Sequence, residues 1–207
     1  MVITIDGLSE NGKTTSAKML ADKLGINYFN SGSIFRYISY LILTEDINLN
    51  ELDELLANTR IDFLGERVLI NDIDMTDELY SEEIDILSSK NANNNLLREA
   101  VRDKIRSYAS EHDVVLEGRD LGARVCPDAD FKFVVFASFE KRVERYMKDL
   151  DIDKKEAIKA LVERDKYDME GINFKLPEHY YEIDSTNITI DEQVDIMYKY
   201  IKGEENV

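Results

Sequence analysis

Eight residues near the start of the chain, Gly7-Leu8-Ser9-Glu10-Asn11-Gly12-Lys13-Thr14, fit the phosphate-binding pattern G-x-x-x-x-G-K-[ST]. The chemistry explains the spacing. Successive backbone N–H groups must wrap a polyphosphate, and glycines permit close approach and a positive φ. A helix opening near Lys13 aims the positive end of its dipole at the anion. Lys13 can set its charge between the β- and γ-phosphates, and the Thr14 hydroxyl can ligate Mg²⁺. Residues Gly7 to Thr15 thus form a candidate nucleoside triphosphate site with Mg²⁺ as cofactor. The pattern says nothing of what receives the phosphate.

A second set of residues suited to phosphate chemistry is cationic. Of the chain's 11 arginines, seven fall between Arg98 and Arg145. Arginine offers a planar fork of donors matched to phosphate oxygens. Arg102 and Arg106 have Glu99 and Asp103 at helical pairing distance and read as surface ion pairs. Arg119 differs, because it follows the apolar run Val114–Leu116 inside Glu117-Gly118-Arg119-Asp120. Ligands of open α/β sheets sit beyond the carboxyl ends of strands, which puts Glu117, Arg119 and Asp120 near the phosphate loop. Arg142 and Arg145 are three apart and share a helix face, with Val143 and Met147 on the other. Glu117 or Asp6 can orient Mg²⁺-bound water; equally, Asp6 can accept hydrogen bonds from loop amides.

These side chains need a scaffold. Val2–Ile5 reads as a strand ahead of the loop, and Ala17, Leu20, Ala21 and Leu24 mark a helix over Lys13–Leu24 stopped by Gly25. Ile34, Tyr37, Ile38, Leu41 and Ile42 predict a second helix, residues 61–74 a small β-hairpin, and Leu97–Ala109 another helix. Val114–Leu116 and Phe133–Phe136 are continuous apolar runs, as expected of parallel strands buried on both faces. Two stripes follow: Val143, Met147 and Leu150, then Ala157, Ile158, Leu161 and Val162. Tyr180–Ile183 predicts a last strand, with both tyrosines in the core. Thr189-Ile190-Asp191-Glu192 is a capping box for a final helix with Val194, Met197 and Ile201 inward. Strands alternating with helices predict an α/β fold with a parallel sheet.

Composition bounds the rest. The chain has 207 residues, with 43 acidic and 26 basic, a formal net charge of −17. Such acidity argues against nucleic-acid polymers and anionic membranes as partners. No apolar run approaches the ~20 residues of a membrane span. One cysteine, Cys126, allows no internal disulfide and reads as a packed thiol; with no basic start of a signal peptide, the cytoplasm is expected. His112 and His179 follow no metal spacing and read as surface or packing residues.

The ordered motifs resemble those of bacterial cytidylate kinases, which are nucleoside monophosphate kinases, over nearly the whole chain. The matching stretches are Ile3–Gly7 with the phosphate loop, Ser31-Gly32-Ser33-Ile34-Phe35-Arg36, Leu97–Ala100, Glu117–Gly122 and Cys126–Asp130. Lys132, Arg142, Arg145, Arg164-Asp165-Lys166-Tyr167-Asp168 and Ile183–Thr186 match as well. The resemblance implies a single three-layer P-loop NTPase domain over 1–207 with a central parallel five-stranded sheet. It implies a core of 1–30, 111–140 and 166–207, an enlarged monophosphate-binding insert over 31–110, and a helical lid over 141–165. By the same resemblance Ser31 and Arg36 meet the acceptor phosphate. Ser89, Arg98 and Asp120 read the cytosine edge, Arg119 and Arg164 are acceptor-site arginines, Asp168 touches ribose, and Arg142 and Arg145 are lid arginines. Departures from the family pattern are Thr14 for Gly, Glu10 for a loop Gly, Leu79-Tyr80 for an Ile-Arg pair and Ile105 for Gln. Tyr146 stands for a lid arginine, and an arginine is missing near Gly171.

The expected reaction is Mg²⁺-dependent transfer of the ATP γ-phosphoryl group to CMP or dCMP, with Lys13, Arg119, Arg142, Arg145 and Arg164 sharing the charge. Two rivals are a kinase of the same scaffold with a different small acceptor, and a nucleotide-binding regulator without turnover. The partners expected are ATP and a small phosphorylated acceptor; the sequence does not fix the oligomeric state, and a monomer is compatible with it.

Overall fold

A computed structural model describes residues 1–45, 47–170 and 174–204. Its central sheet has five strands in the order β2-β6-β1-β7-β8. These are β1 (Val2–Asp6), β2 (Asn27–Asn30), β6 (Val114–Gly118), β7 (Phe131–Phe136) and β8 (Tyr181–Asp184). β1 pairs in parallel with both β6 and β7, setting Asp6 opposite Gly118 and Val134, and β7 pairs in parallel with β8. All carboxyl ends of these four strands therefore lie at one edge, where the phosphate loop leaves β1.

The chain divides into two compact units, residues Met1–Asn27 with Asp113–Val207, and residues Tyr28–His112. The core of the first is the apolar interior of the sheet, with Ile3, Ile5, Val114, Val115, Leu116, Phe133 and Val134 almost wholly shielded from water. Each such side chain contributes about 1.5–3 kcal/mol by leaving solvent. Helix α1 (Lys13–Leu24) buries Ala17, Leu20 and Ala21 and ends on Gly25, which turns left-handed at φ 69°. The last helix, α9 (Ile190–Lys202), starts on the expected capping box: Thr189 accepts from the Glu192 amide while Glu192 accepts from the Thr189 amide. The expected lid segment 141–165 falls in this first unit, on α7 (Phe139–Leu150) and α8 (Lys154–Glu170).

The second unit, where an insert over 31–110 is expected, carries a three-stranded antiparallel sheet of β3 (Ile61–Leu64), β4 (Arg67–Ile70) and β5 (Ile73–Asp74). Around it stand α2 (Ser31–Thr44), α3 (Leu52–Ala57), α4 (Thr76–Leu79), α5 (Glu82–Asn91) and α6 (Asn95–Glu111). Its core includes Phe29, Ile34, Ile38, Leu56, Leu79, Ile84, Leu97 and Ile105. Ile105, the departure from a family glutamine, is thus a packing residue.

Several expected core positions lie elsewhere. Leu150, Ile158 and Val162 are exposed: the buried cluster between α7 and α8 is Val143, Ala157 and Leu161, with Phe139, Tyr146, Met147 and Ile152 packed against it. Tyr146 packs on that cluster. Tyr181 is 39% exposed, being on the edge strand β8, though its ring lies 4.4 Å from that of Tyr200 and 5.5 Å from that of Phe133. Among the described residues no helix is long and apolar enough to cross a membrane.

Candidate active site

The phosphate loop runs from the end of β1 to the start of α1, and its first glycine is set by close approach. A Cβ on Gly7 would sit 2.1 Å from Asn11 Nδ2 and 2.5 Å from the Val135 carbonyl oxygen. Asn11 lies 1% exposed, spans the loop by donating to that carbonyl, and accepts from the Lys13 amide at 3.3 Å. Gly12 caps α1 in the left-handed region at φ 84°. Glu10 is left-handed as well, at φ 62°, which is uncommon for a residue with a Cβ.

Cations take hold of the loop's carbonyls one after another. Arg119 donates to the Gly7 carbonyl at 2.8 Å, Lys13 to Leu8 at 3.0 Å, Arg142 to Ser9 at 2.7 Å and Arg145 to Glu10 at 3.0 Å. The Ser185 hydroxyl donates to the next, that of Asn11, at 2.8 Å. These donors come from the end of β6, from α1, from α7 and from the end of β8. Backbone carbonyls are the loop's negative ends, so this clasp presents four side-chain cations where a polyphosphate would concentrate negative charge.

The cations are held in turn. Arg142, 4% exposed, makes a bidentate pair with Asp165 on α8 at 2.8 and 2.6 Å. Arg119 donates from Nε to Asp168 at 2.9 Å and from Nη2 to the Ser9 hydroxyl at 3.0 Å. Arg145 also donates to the Ser185 carbonyl at 2.7 Å. Arg164 lies near enough to Glu10 for its charge to act on that carboxyl.

Burial shapes the ionisation here. Lys13 is 6% exposed, and desolvation, helped by the Arg119 charge, lowers its pKa to about 7 against the pull of Glu117. Desolvation raises Asp6 to about 7 even though it accepts from the amides of Leu121 at 2.9 Å and Gly122 at 2.8 Å. Both Asp6 oxygens are therefore engaged in holding the turn of π-helix over Leu121–Val125 that follows β6. Glu117, buried on β6, accepts from the Thr14 hydroxyl at 2.7 Å and lies 3.8 Å from Lys13 Nζ. Burial raises the Glu10 pKa, and nearby Asp149 adds to the shift.

The model of the family described as cytidylate kinase matches residues 3–203. The chain belongs to the cytidylate kinase family. Its relatives include a cytidylate kinase of Chlamydia felis, 36% identical over 99% of both chains. Another, from Thermotoga maritima, is 32% identical over 99% of this chain and 98% of its own. Among solved structures, a shikimate kinase from Bacteroides thetaiotaomicron covers 98% of each chain with a TM-score of 0.51 at 12% identity, a likeness of fold. Membership makes the chain an ATP-dependent nucleoside monophosphate kinase.

Within this family frame, the first unit gathers Asp6, the phosphate loop, Glu117, Arg119, Asp120, Arg142, Arg145, Arg164 and Asp168. Asp168, which the resemblance assigns to ribose, here pairs with Arg119. Asp120, 6% exposed, pairs with Arg124 at 3.1 Å. The second unit carries the other residues that the resemblance assigns to the acceptor. Ser31 opens α2, whose Asn30 cap accepts from Gly32 at 2.8 Å. Arg36 pairs with Asp85, and the Ser89 hydroxyl returns to the Asp85 carbonyl at 3.0 Å. Arg98, 5% exposed, donates to the Ala92 carbonyl at 3.1 Å with its guanidinium carbon 6.0 Å from the Phe35 ring centre. The departure at Gly171 lies outside the described residues.

Sequence reading gave no role to Ser185 or Asp165. Ser185 stands in the Ile183–Thr186 motif and Asp165 beside Arg164, so the motifs mark them. Their partners lie 174 and 23 residues away, and no local spacing reveals such pairings.

Proposed function

We propose that the chain transfers the γ-phosphoryl group of ATP to CMP or dCMP with the help of Mg²⁺, giving the diphosphate and ADP, and does so in the cytoplasm. The observation that carries this reading is the row of cations on successive carbonyls of the phosphate loop. Phosphoryl transfer asks little covalent chemistry of a protein. It requires alignment of the acceptor oxygen with phosphorus and neutralisation of charge on the transferring group. Lys13, Arg119, Arg142, Arg145 and Arg164 share that charge. For Lys13, Arg119, Arg142 and Arg145, exchange of the loop carbonyls for phosphate oxygens substitutes stronger acceptors on the same donors. The acceptor phosphate is already ionised, so no strong general base is needed.

The residues present fit Mg²⁺. The Thr14 hydroxyl and the Glu117 carboxylate, 2.7 Å apart, are hard oxygen donors of the kind this ion takes beside substrate phosphates. The ion, when bound, offsets negative charge on the β- and γ-phosphate oxygens. Asp6 serves as an anchor of the backbone after β6, since both its oxygens are taken by amides. In the second unit we assign Ser31 and Arg36 to the acceptor phosphate and Ser89 and Arg98 to the cytosine edge.

The test is a phosphotransfer panel with ATP against CMP, dCMP, UMP, AMP, GMP and non-nucleotide alcohols. CMP and dCMP are expected to be the best acceptors. Product with a non-nucleotide alone would replace the acceptor assignment, and ATP binding without ADP release from any acceptor would replace the catalytic one.

A further inference from the structure

We infer that Tyr80 is a positioning residue for Arg36 and so sets affinity for the acceptor phosphate, an inference that rests on the acceptor assignment of Arg36. The Arg36 guanidinium carbon lies 4.6 Å from the centre of the Tyr80 ring. The ring is itself fixed at both ends. Its hydroxyl lies 3.1 Å from the Ser33 hydroxyl, one turn ahead of Arg36 on α2, and its amide donates to the Thr76 carbonyl at 3.0 Å. Tyr80 is the residue that caps α4, so its backbone cannot drift from the Leu79 carbonyl, which accepts from Arg36 Nη1 at 3.2 Å. Asp85 on α5 takes Nη2.

This arrangement suits an anion-binding arginine. An aromatic face attracts the flat face of a guanidinium and leaves the in-plane N–H donors at its rim for oxygen acceptors. Two of the five donors of Arg36 meet Leu79 and Asp85. The Arg36 side chain is 16% exposed and Tyr80 is 48% exposed, so the stacked pair is reachable from solvent.

The experiment measures kcat and KM for CMP at saturating ATP, and KM for ATP, in the full chain and in Tyr80→Leu, Tyr80→Phe, Arg36→Ala and the double variant Arg36→Ala/Tyr80→Leu. Tyr80→Leu is expected to raise KM for CMP about 3- to 10-fold while kcat and KM for ATP stay within about twofold. Tyr80→Phe, which keeps the ring and loses only the Ser33 contact, is expected to raise KM for CMP by less than Tyr80→Leu does. In the Arg36→Ala background, Tyr80→Leu is expected to add nothing, because its effect passes through Arg36. An unchanged KM in Tyr80→Leu, an equal rise in both backgrounds, or a rise in Tyr80→Phe as large as that in Tyr80→Leu would overturn the inference. Arg36→Ala with an unchanged KM for CMP would instead overturn the acceptor assignment of Arg36. Should Tyr80→Leu fail to fold, Tyr80→Met takes its place under the same criteria.

Discussion

Arg142 and Asp165 face each other fork to fork, through hydrogen bonds of 2.8 and 2.6 Å, while the third edge of the same guanidinium donates to the Ser9 carbonyl at 2.7 Å. One side chain thus ties α8 to the phosphate loop, and it does so with 4% of its surface exposed. A buried cation depends on its counter-charge, because removing one partner leaves the other desolvated and unpaired. Asp165→Ala is therefore expected to cost about 3 kcal/mol of stability. Chemical denaturation of the two proteins measures it, and a loss below about 1 kcal/mol, the worth of a surface pair, would reject the buried-pair account.

Glu10 holds φ 62° in a loop where the family pattern has glycine. That conformation costs a residue with a Cβ about 1 kcal/mol or more. Its carboxylate is also disfavoured by burial and by Asp149, and it stands in the loop proposed to receive phosphates. Glu10→Gly is expected to stabilise the fold by about 0.5–1 kcal/mol and to tighten ATP binding several-fold. Denaturation and ATP titration test the two parts separately. A weaker ATP affinity in this variant would show that the carboxylate helps binding.

Lys13 is the loop's own cation, and Lys13→Ala is expected to lower kcat by about 10²-fold or more. Retained near-normal transfer would remove the loop from the mechanism. The lysine also imposes a pH dependence. With its pKa lowered to about 7, the free protein loses this proton as pH rises through 7, whereas a lysine beside phosphates keeps it. Binding then takes up a proton at pH above 7, and ATP affinity falls by up to about tenfold per pH unit there. Calorimetry at pH 8 to 9 in buffers of different ionisation enthalpy measures the uptake. Absence of uptake would mean that Lys13 is charged in the free protein.

Arg98 is buried in the second unit and assigned to the base rather than to phosphate. Arg98→Ala is expected to narrow the preference for CMP over UMP in kcat/KM by about tenfold or more, while KM for ATP changes little. An equal loss for every nucleoside monophosphate would make Arg98 a structural residue of α6.

The periodic segments of the sequence were enough to place the strands flanking the loop. Val114–Leu116 and Phe133–Phe136 are short continuous apolar runs, which suit parallel strands buried on both faces. The phosphate loop was legible because its chemistry is local: Gly7, Gly12, Lys13 and Thr14 act within eight consecutive residues. The capping box at Thr189 was legible for the same reason. Stripes were less informative on α7 and α8. Leu150, Ile158 and Val162 continue the apolar pattern yet face water, since a sequence shows which residues could be buried and not how wide the neighbouring surface is.

Residue type and spacing alone showed that this chain carries the phosphate-binding pattern after a short apolar strand, with arginines concentrated after Arg98. Only the tertiary structure decided which carbonyl each cation holds, that Asp6 serves two amides, that Asp165 carries Arg142, and that Tyr80 stacks on Arg36. The physical reason is range. A loop or a cap satisfies its hydrogen bonds within a turn or two of its own backbone. A buried ion has to find its partner wherever the packed sheet and helices place one.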